Sequence, residues 1–329
     1  MKGFDPKFAD FPGYIIGITK EIWEDRGIAT LHRYYSPDIV VRAPGSVVIG
    51  NAGVIAATMA TLAEFPDRTL FGEDVIWSGT PETGMLSSHR LRSTATHSGD
   101  GVYGRATGKR LVYRIIADCH ASNNIIDDEW LIRDQGAIVR QMGWEPAEFA
   151  RDQIAREGGA EACQRPLSPA TDRPGPYAGH GNDNEWGGRL ADLLARIMSA
   201  DFAAIPQVYD RAALLEYPGG VQAHSHAGAD AFWMGLRAAF PDAVFTAHHI
   251  IGRDDPLMPP RAAVRWSLHG KHAGWGRFGA PSGADIYVLG ITHAEFGPFG
   301  PSDWGLRREF TLFDETAIWK QILLHTGAL

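Results

Sequence analysis

Cysteine is almost missing from this chain: Cys119 and Cys163 are the only two among 329 residues. One falls in an expected strand and the other in an irregular stretch. That is no metal or redox spacing, and it points to reduced thiols in a cytoplasm. No apolar run approaches the roughly 18 residues needed to cross a bilayer. The start, MKGFDPKFADFPGYIIG, lacks the apolar core and small-residue cleavage site of a secretion signal. Basic charge is not in excess either. The net charge of −8 argues against nucleic acid and anionic membranes as partners, since both reward a basic face. No Gly-rich loop joins a strand to a helix, which argues against a nucleotide-binding fold. What remains is an ordinary globular composition, 44% hydrophobic and 21% charged, in a chain long enough for about two domains.

The chain does contain itself twice. HRLRSTATHSGDGVYGRATGK (His89–Lys109) matches VRWSLHGKHAGWGRFGAPSGA (Val264–Ala284) at a constant offset of 175 residues. Arg90 meets Arg265, His97 meets His272, and Gly101 and Gly104 meet Gly276 and Gly279. Upstream, FPDR (Phe65–Arg68) matches FPDA (Phe240–Ala243). Downstream, after a five-residue insertion, EWLIRDQGAIVRQ (Glu129–Gln141) matches EFTLFDETAIWKQ (Glu309–Gln321). Solenoid units are about 20 to 50 residues long, so this period is a duplicated domain.

Each copy has the same element order. Apolar residues at helical spacing over Tyr14–Tyr35, interrupted at Gly27, predict two short helices. A strand is expected within Ser36–Ile49, and then a helix over Asn51–Glu64 capped by the Asn51 side chain. Strands follow at about Thr69–Ser78, Gly84–Ser98, Arg110–His120 and Ile125–Arg133. The second copy repeats this with helices near Arg189–Ser199, Phe202–Tyr209 and Ala227–Phe240, and strands near Val244–Gly252, Arg261–Lys271, Asp285–Glu295 and Leu306–Phe313. Helices first and then neighbouring strands make an α+β fold. The expected division is a domain at 1–150, a Pro/Gly-rich linker at 151–186 and a domain at 187–329.

RWSLHGKHAGWGRFGAPSG (Arg265–Gly283), RLRSTATHSGDGVYGRATGK (Arg90–Lys109) and the ending EWLIRDQGAIVRQMG (Glu129–Gly143) together resemble the SnoaL-like polyketide cyclases of the nuclear transport factor 2-like superfamily. The resemblance spans nearly all of each half. It implies tandem cones, each a curved antiparallel sheet wrapped around helices, with a mostly apolar pocket at the wide end. It also implies a small-molecule substrate, no organic cofactor, and pairing of the two halves through their sheets, with further oligomerisation left open.

Asp134 and Asp314 follow the last strand of each half. By resemblance, Asp134 takes the place of the aspartate that serves as general acid/base in the cyclases. A carboxylate in an apolar cavity can remove a proton next to a carbonyl, because desolvation raises its pKa towards working pH. The plain alternative is a helix N-cap. Asp118 and His293 correspond to each other. His293 is expected one strand away from Asp314, and His120 shares a strand face with Asp118. Arg90, His97, Arg265 and His272 are repeated, so they either bind ligand or serve the fold. Trp130, Phe296 and Trp304 are candidates for the pocket wall or rim. The Gly/Pro-rich insertion Glu295–Gly305 reads as a lid.

Nine of the 13 histidines lie from His180 onwards. His224 and His226 have the H-x-H spacing of a metal pair, but no third ligand is fixed by spacing. Phe310 replaces Trp130 in the second ending, which marks that half as the one whose chemistry is in doubt. The leading expectation is a cyclase, isomerase or dehydratase led by a carboxylate. The rivals are a non-catalytic ligand-binding or assembly module and a metal-dependent hydrolase.

Overall fold

Two six-stranded sheets form, one in each half, and the second repeats the strand order of the first. The computed structural model describes residues 1–298 and 304–328. The first half contains α1 (Phe11–Thr19), a π-turn, α2 (Leu31–Tyr34), β1 (Tyr35–Ala43), β2 (Ser46–Ile49) and α3 (Asn51–Glu64). Then come β3 (Thr69–Thr80), β4 (Gly84–Thr96), β5 (Arg110–Ser122), β6 (Ile125–Arg133), α4 (Gln135–Met142) and α5 (Pro146–Arg156). The second half contains α6 (Glu185–Met198), α7 (Ile205–Val208), β7 (Tyr209–Tyr217), β8 (Val221–His224) and α8 (Ser225–Ala239). It closes with β9 (Val244–Arg253), β10 (Arg261–Lys271), β11 (Asp285–Gly297), β12 (Gly305–Leu312) and α9 (Glu315–Thr326). Each half is thus an α+β cone, and the expectation of a wholly antiparallel sheet needs one amendment. β1 pairs parallel to β6, and β7 parallel to β12. The chain returns to the first strand of the sheet only after the hairpins are laid down.

Strand alternation decides which residues face the cone. On β4, β5 and β6, His89, Leu91, Ile115, Ala117, Cys119, Glu129, Leu131 and Arg133 face inward. Ile116, Trp130 and Ile132 face outward, where they meet Tyr287, Leu289, Ile291 and Leu312 of the other half. Successive strand residues point to opposite faces, and here both faces are covered, so these strands are buried nearly end to end. The repeated glycines also have a local cause. Gly104 (φ 93°) and Gly279 (φ 77°) take the left-handed region that disfavours a side chain. Each closes a small bridge, to Gly101 and Gly276 respectively.

Residue by residue, the sheet-to-sheet contact has two-fold character, as expected when a self-complementary surface is duplicated. The Arg90 guanidinium lies 3.6 Å from the centre of the Phe310 ring, and that of Arg265 lies 3.5 Å from the Trp130 ring. The segment after α5 straps the halves together. Leu167 N–H donates to Pro44 O (2.8 Å), Tyr177 N–H donates to Asp128 (3.1 Å), and Asp172 accepts from Trp130 Nε1 (3.2 Å) and the Tyr287 hydroxyl (2.5 Å). One expected cap is corrected. Gly50 occupies the N-cap of α3, and the Asn51 amide donates to Tyr35 O (3.3 Å).

Candidate active site

The first cone holds a cavity of about 210 Å³. Ile15, Ile18 and Trp23 line it from the helical end, Val41 and Val48 from β1 and β2, and Leu91, Ile115, Ala117 and Leu131 from the central strands. Few polar groups interrupt this wall, which is the usual make-up of a small-molecule site. The ones that bear on chemistry are Tyr35, Thr58, Arg68, His89, Glu129 and Arg133.

Glu129 sits in mid-sheet, opposite Val41 on β1 and Cys119 on β5. It is buried, and its Oε2 has no hydrogen-bond partner. Burial pushes its pKa up to about 7; the Tyr35 phenol works against this and the neighbouring Asp128 charge adds to it. Such a carboxyl is half ionised at neutral pH, where a general base is most effective. His89 is buried on β4, two strands away from Glu129 on the same cavity wall, with Nδ1 3.1 Å from the Ser87 hydroxyl. Burial lowers its pKa to about 4, so the imidazole is neutral at pH 7 and can donate one hydrogen bond and accept another. Arg68 and Arg133 also face the cavity.

The second cone carries the same frame with its interior filled. At the 175 offset, Ala57, Thr58 and Leu91 become Phe232, Trp233 and Trp266, all buried in one core cluster. Gly290 replaces Ile115, and a Cβ on it would fall 2.2 Å from the Trp266 ring. Glu309, the counterpart of Glu129, is fully engaged. Oε2 accepts from Tyr209 (2.6 Å) and Tyr217 (3.1 Å), and Oε1 accepts from Thr311 (2.7 Å). The same carboxyl thus faces a ligand-sized space in one half and is a saturated core group in the other. Thr58→Trp copies the second half into the first. We expect it to abolish binding of 2-naphthamide in a calorimetric titration while changing the unfolding temperature little. In a core without space, overpacking would cost about 1–3 kcal/mol.

The residues expected from sequence lie elsewhere. Asp134 and Asp314 do not line the cavity. Each starts a helix, and the backbone after the last strand turns their carboxylates onto amide N–H groups. Asp134 accepts from Ala137 (3.0 Å) and, across the seam, from Gly219 (2.8 Å) and Gly220 (3.0 Å). Asp314 accepts from the Thr316 amide (2.8 Å) and hydroxyl (2.7 Å) and from the Ala317 amide (3.2 Å). Burial pushes both to about 6, against those hydrogen bonds.

Asp118 and His293 face outward into the seam, with no strand side shared with Asp134 or Asp314. They meet through Ser88, whose hydroxyl donates to Asp118 (2.6 Å) and lies 2.8 Å from His293 Nε2. Arg90 and Arg265 are in the same seam, Arg90 against Glu73 (2.9 Å) and Arg265 against Asp118 (3.1 Å). Trp130 stacks under Arg265. His120 contacts Asp127 (2.6 Å). His97 lies 3.1 Å from the Thr107 hydroxyl and His272 3.0 Å from the Ser282 hydroxyl, both within their hairpins, and His97 also reaches Glu64 at the end of α3 (3.2 Å). Phe296 and Trp304 flank Trp186. Of the expected lid Glu295–Gly305, Glu295–Gly297 end β11 and Gly305 begins β12, while 299–303, with Phe299, lie outside the described residues. His226 contacts the Tyr209 carbonyl (2.9 Å), and among the described residues no three His, Cys, Asp or Glu side chains are grouped to hold a metal. Sequence reasoning passed over Glu129, although it and Glu309 open the two matched endings.

No curated protein matches the chain. Among solved structures, the chain is similar to wild-type IdmH from Streptomyces antibioticus, with 22% identity over 40% of this chain and 96% of that one and a TM-score of 0.35. It is also similar to TsrD from Streptomyces laurentii, with 17% identity over 41% and 98% and a TM-score of 0.35. A SnoaL-like polyketide cyclase from Agrobacterium tumefaciens matches at 17% identity over 40% and 97%, with a TM-score of 0.34. The family model for SnoaL-like polyketide cyclases matches residues 15–142, and that for SnoaL-like domains matches residues 190–296. With one match in each half, the chain belongs to the SnoaL-like family as a tandem of two such domains.

Proposed function

We propose that the first half is a cyclase- or isomerase-type enzyme for a carbonyl-bearing, largely apolar small molecule, with Glu129 as the group that takes and returns the proton. The observation that carries this reading is a buried carboxyl with an unpartnered oxygen, on the wall of an apolar cavity, with its pKa at about 7. The proton next to the carbonyl passes to Glu129, and the C–H electron pair goes into an enolate spread onto the carbonyl oxygen. Return of the proton at another carbon completes an isomerisation. Attack of the enolate carbon on a second carbonyl carbon closes a ring. Neutral His89 is placed to donate to a developing oxyanion, as such sites require. The second half, with Glu309 saturated and its interior filled, serves as the scaffold against which the first is built.

The test needs no natural substrate. 5-Nitrobenzisoxazole opens to a cyanophenolate when a base removes its ring proton, and a carboxylate in an apolar cavity speeds this reaction. The expected rate rises with pH to a plateau with its midpoint near 7. A midpoint in the ordinary carboxylate range, at about 4–5, would end the proposal. Ligand binding without turnover would support the binding-module reading instead.

A further inference from the structure

We propose that the cavity takes an organic anion, a ring-bearing apolar body whose single acidic group is held by Arg68 and Arg133; this rests on the reading of the cavity as the substrate site. Both guanidinium groups line the cavity. Arg68 is 7% exposed, and the Nε of each has no acceptor. Among the described residues neither makes an ion pair. The other buried arginines of this chain behave differently. Arg42 pairs with Asp128, Arg90 with Glu73, Arg261 with Asp74 and Arg265 with Asp118. The side-chain partners of Arg68 and Arg133 are phenols, Tyr113 and Tyr103 respectively. Enclosed charges are normally balanced by an opposite charge, so two guanidiniums with no carboxylate at ion-pair distance on a cavity wall call for a negative charge from the occupant.

Their field is felt by their neighbours. Burial pushes the Tyr113 phenol up, yet the charges of Arg68 and Arg133, with hydrogen bonds from Ser93 and Arg68, leave its pKa below the ordinary value. Glu129 is governed by burial, Tyr35 and Asp128, so the proton-accepting carboxyl is a separate feature of the wall. The duplication supplies the control. Arg68 corresponds to Ala243, and Arg133 to Phe313, in the half whose interior is packed. Space and arginine pair are present together in one half and absent together in the other. A guanidinium fork binds a carboxylate or sulfonate through two parallel hydrogen bonds, which leaves the rings to the aliphatic and aromatic wall.

Calorimetric titration at pH 8 with 2-naphthoate and its neutral isostere 2-naphthamide tests the assignment. Wild-type protein is expected to bind naphthoate at least about tenfold more tightly, as charge-assisted hydrogen bonds imply. Arg68→Met with Arg133→Met is expected to erase that preference and keep naphthamide binding. Should the double variant fail to fold, Arg68→Lys gives the second reading, with the preference reduced but present. Equal binding of the two ligands by wild-type protein, or a preference that survives in the double variant, would overturn the proposal. Displacement of naphthoate by millimolar inorganic phosphate would overturn its organic part. Glu129→Gln is expected to retain naphthoate, so the two readings fail separately. Lost preference with a turnover midpoint near 7 removes only this inference, and a retained preference with an ordinary midpoint removes only the proposed reaction.

Discussion

Glu129→Gln is expected to slow deprotonation of 5-nitrobenzisoxazole by roughly 10²- to 10⁴-fold, the range attributed to a positioned general base. The amide keeps the shape of the carboxyl and removes its ability to take a proton. Thermal unfolding of the same variant supplies a second readout. The folded pKa of Glu129 is about 7 against 4.5 in a free side chain, so the folded state favours the protonated acid. The contribution of that acid to stability is complete below about pH 4.5 and is lost as pH rises through 7. Gln does not titrate, so its stability relative to wild type should rise between pH 5 and pH 8. Asp134→Asn is the control. Its amide oxygen still accepts from Ala137 and Gly219, only the Gly220 amide loses its acceptor, and turnover should stay near wild type. A large loss there, with Glu129→Gln active, would return the chemistry to the strand-end aspartate.

The duplication and the α+β order were legible because glycine turns, apolar periodicity and the matched endings are local signals. The identity of the working carboxyl was not local. Asp134 and Glu129 lie five residues apart in a matched ending, and both are buried acids. What separates them is direction. Glu129 follows the inward alternation of β6, whereas Asp134 has left the strand and its carboxylate is drawn to the amides of α4 and of Gly219–Gly220. A signal was present all the same. Extending the alternation of β6 from Trp130, whose neighbours are then forced to the opposite face, places Glu129, Leu131 and Arg133 together. The filled second cone was legible as well. Thr58 to Trp233 and Leu91 to Trp266 are small-to-large changes at matched interior positions. Asp118 and His293, which share the seam with Arg90 and Arg265, were misplaced for a different reason. A lone cone would present its outer sheet face to water, where buried ionic pairs have no role, and only the packing of the two sheets encloses them.

That enclosure sets the cost of disturbing them, and Asp118→Ala is expected to destabilise the protein by about 3–5 kcal/mol, measured by denaturant unfolding. Asp118 is fully buried; one oxygen accepts from Ser88 and the other lies 3.0 Å from His249 Nδ1 and 3.1 Å from Arg265 Nε. Those two distances are ion-pair distances without hydrogen-bond alignment, since the three atoms have no aligned partner. Burial raises Asp118 to about 6, with Arg265 and Ser88 acting against the rise, and lowers Arg265 and His249. The imidazole is therefore neutral at pH 7, and the charge that Asp118 balances is that of Arg265. Removing the carboxylate leaves the guanidinium enclosed between two sheets, with the Trp130 face as its nearest support. The double replacement Asp118→Leu with Arg265→Leu removes both charges and should recover most of the loss, because apolar groups of similar volume tolerate such a site. Arg90 provides the internal comparison. It has His293 where Arg265 has Asp118, but it keeps Glu73 at 2.9 Å, so His293→Ala should cost less than Asp118→Ala. A single-variant loss below about 1 kcal/mol would show that the sheets are held by Trp130, Leu289 and Ile291 and their neighbours, with the seam charges adding nothing measurable.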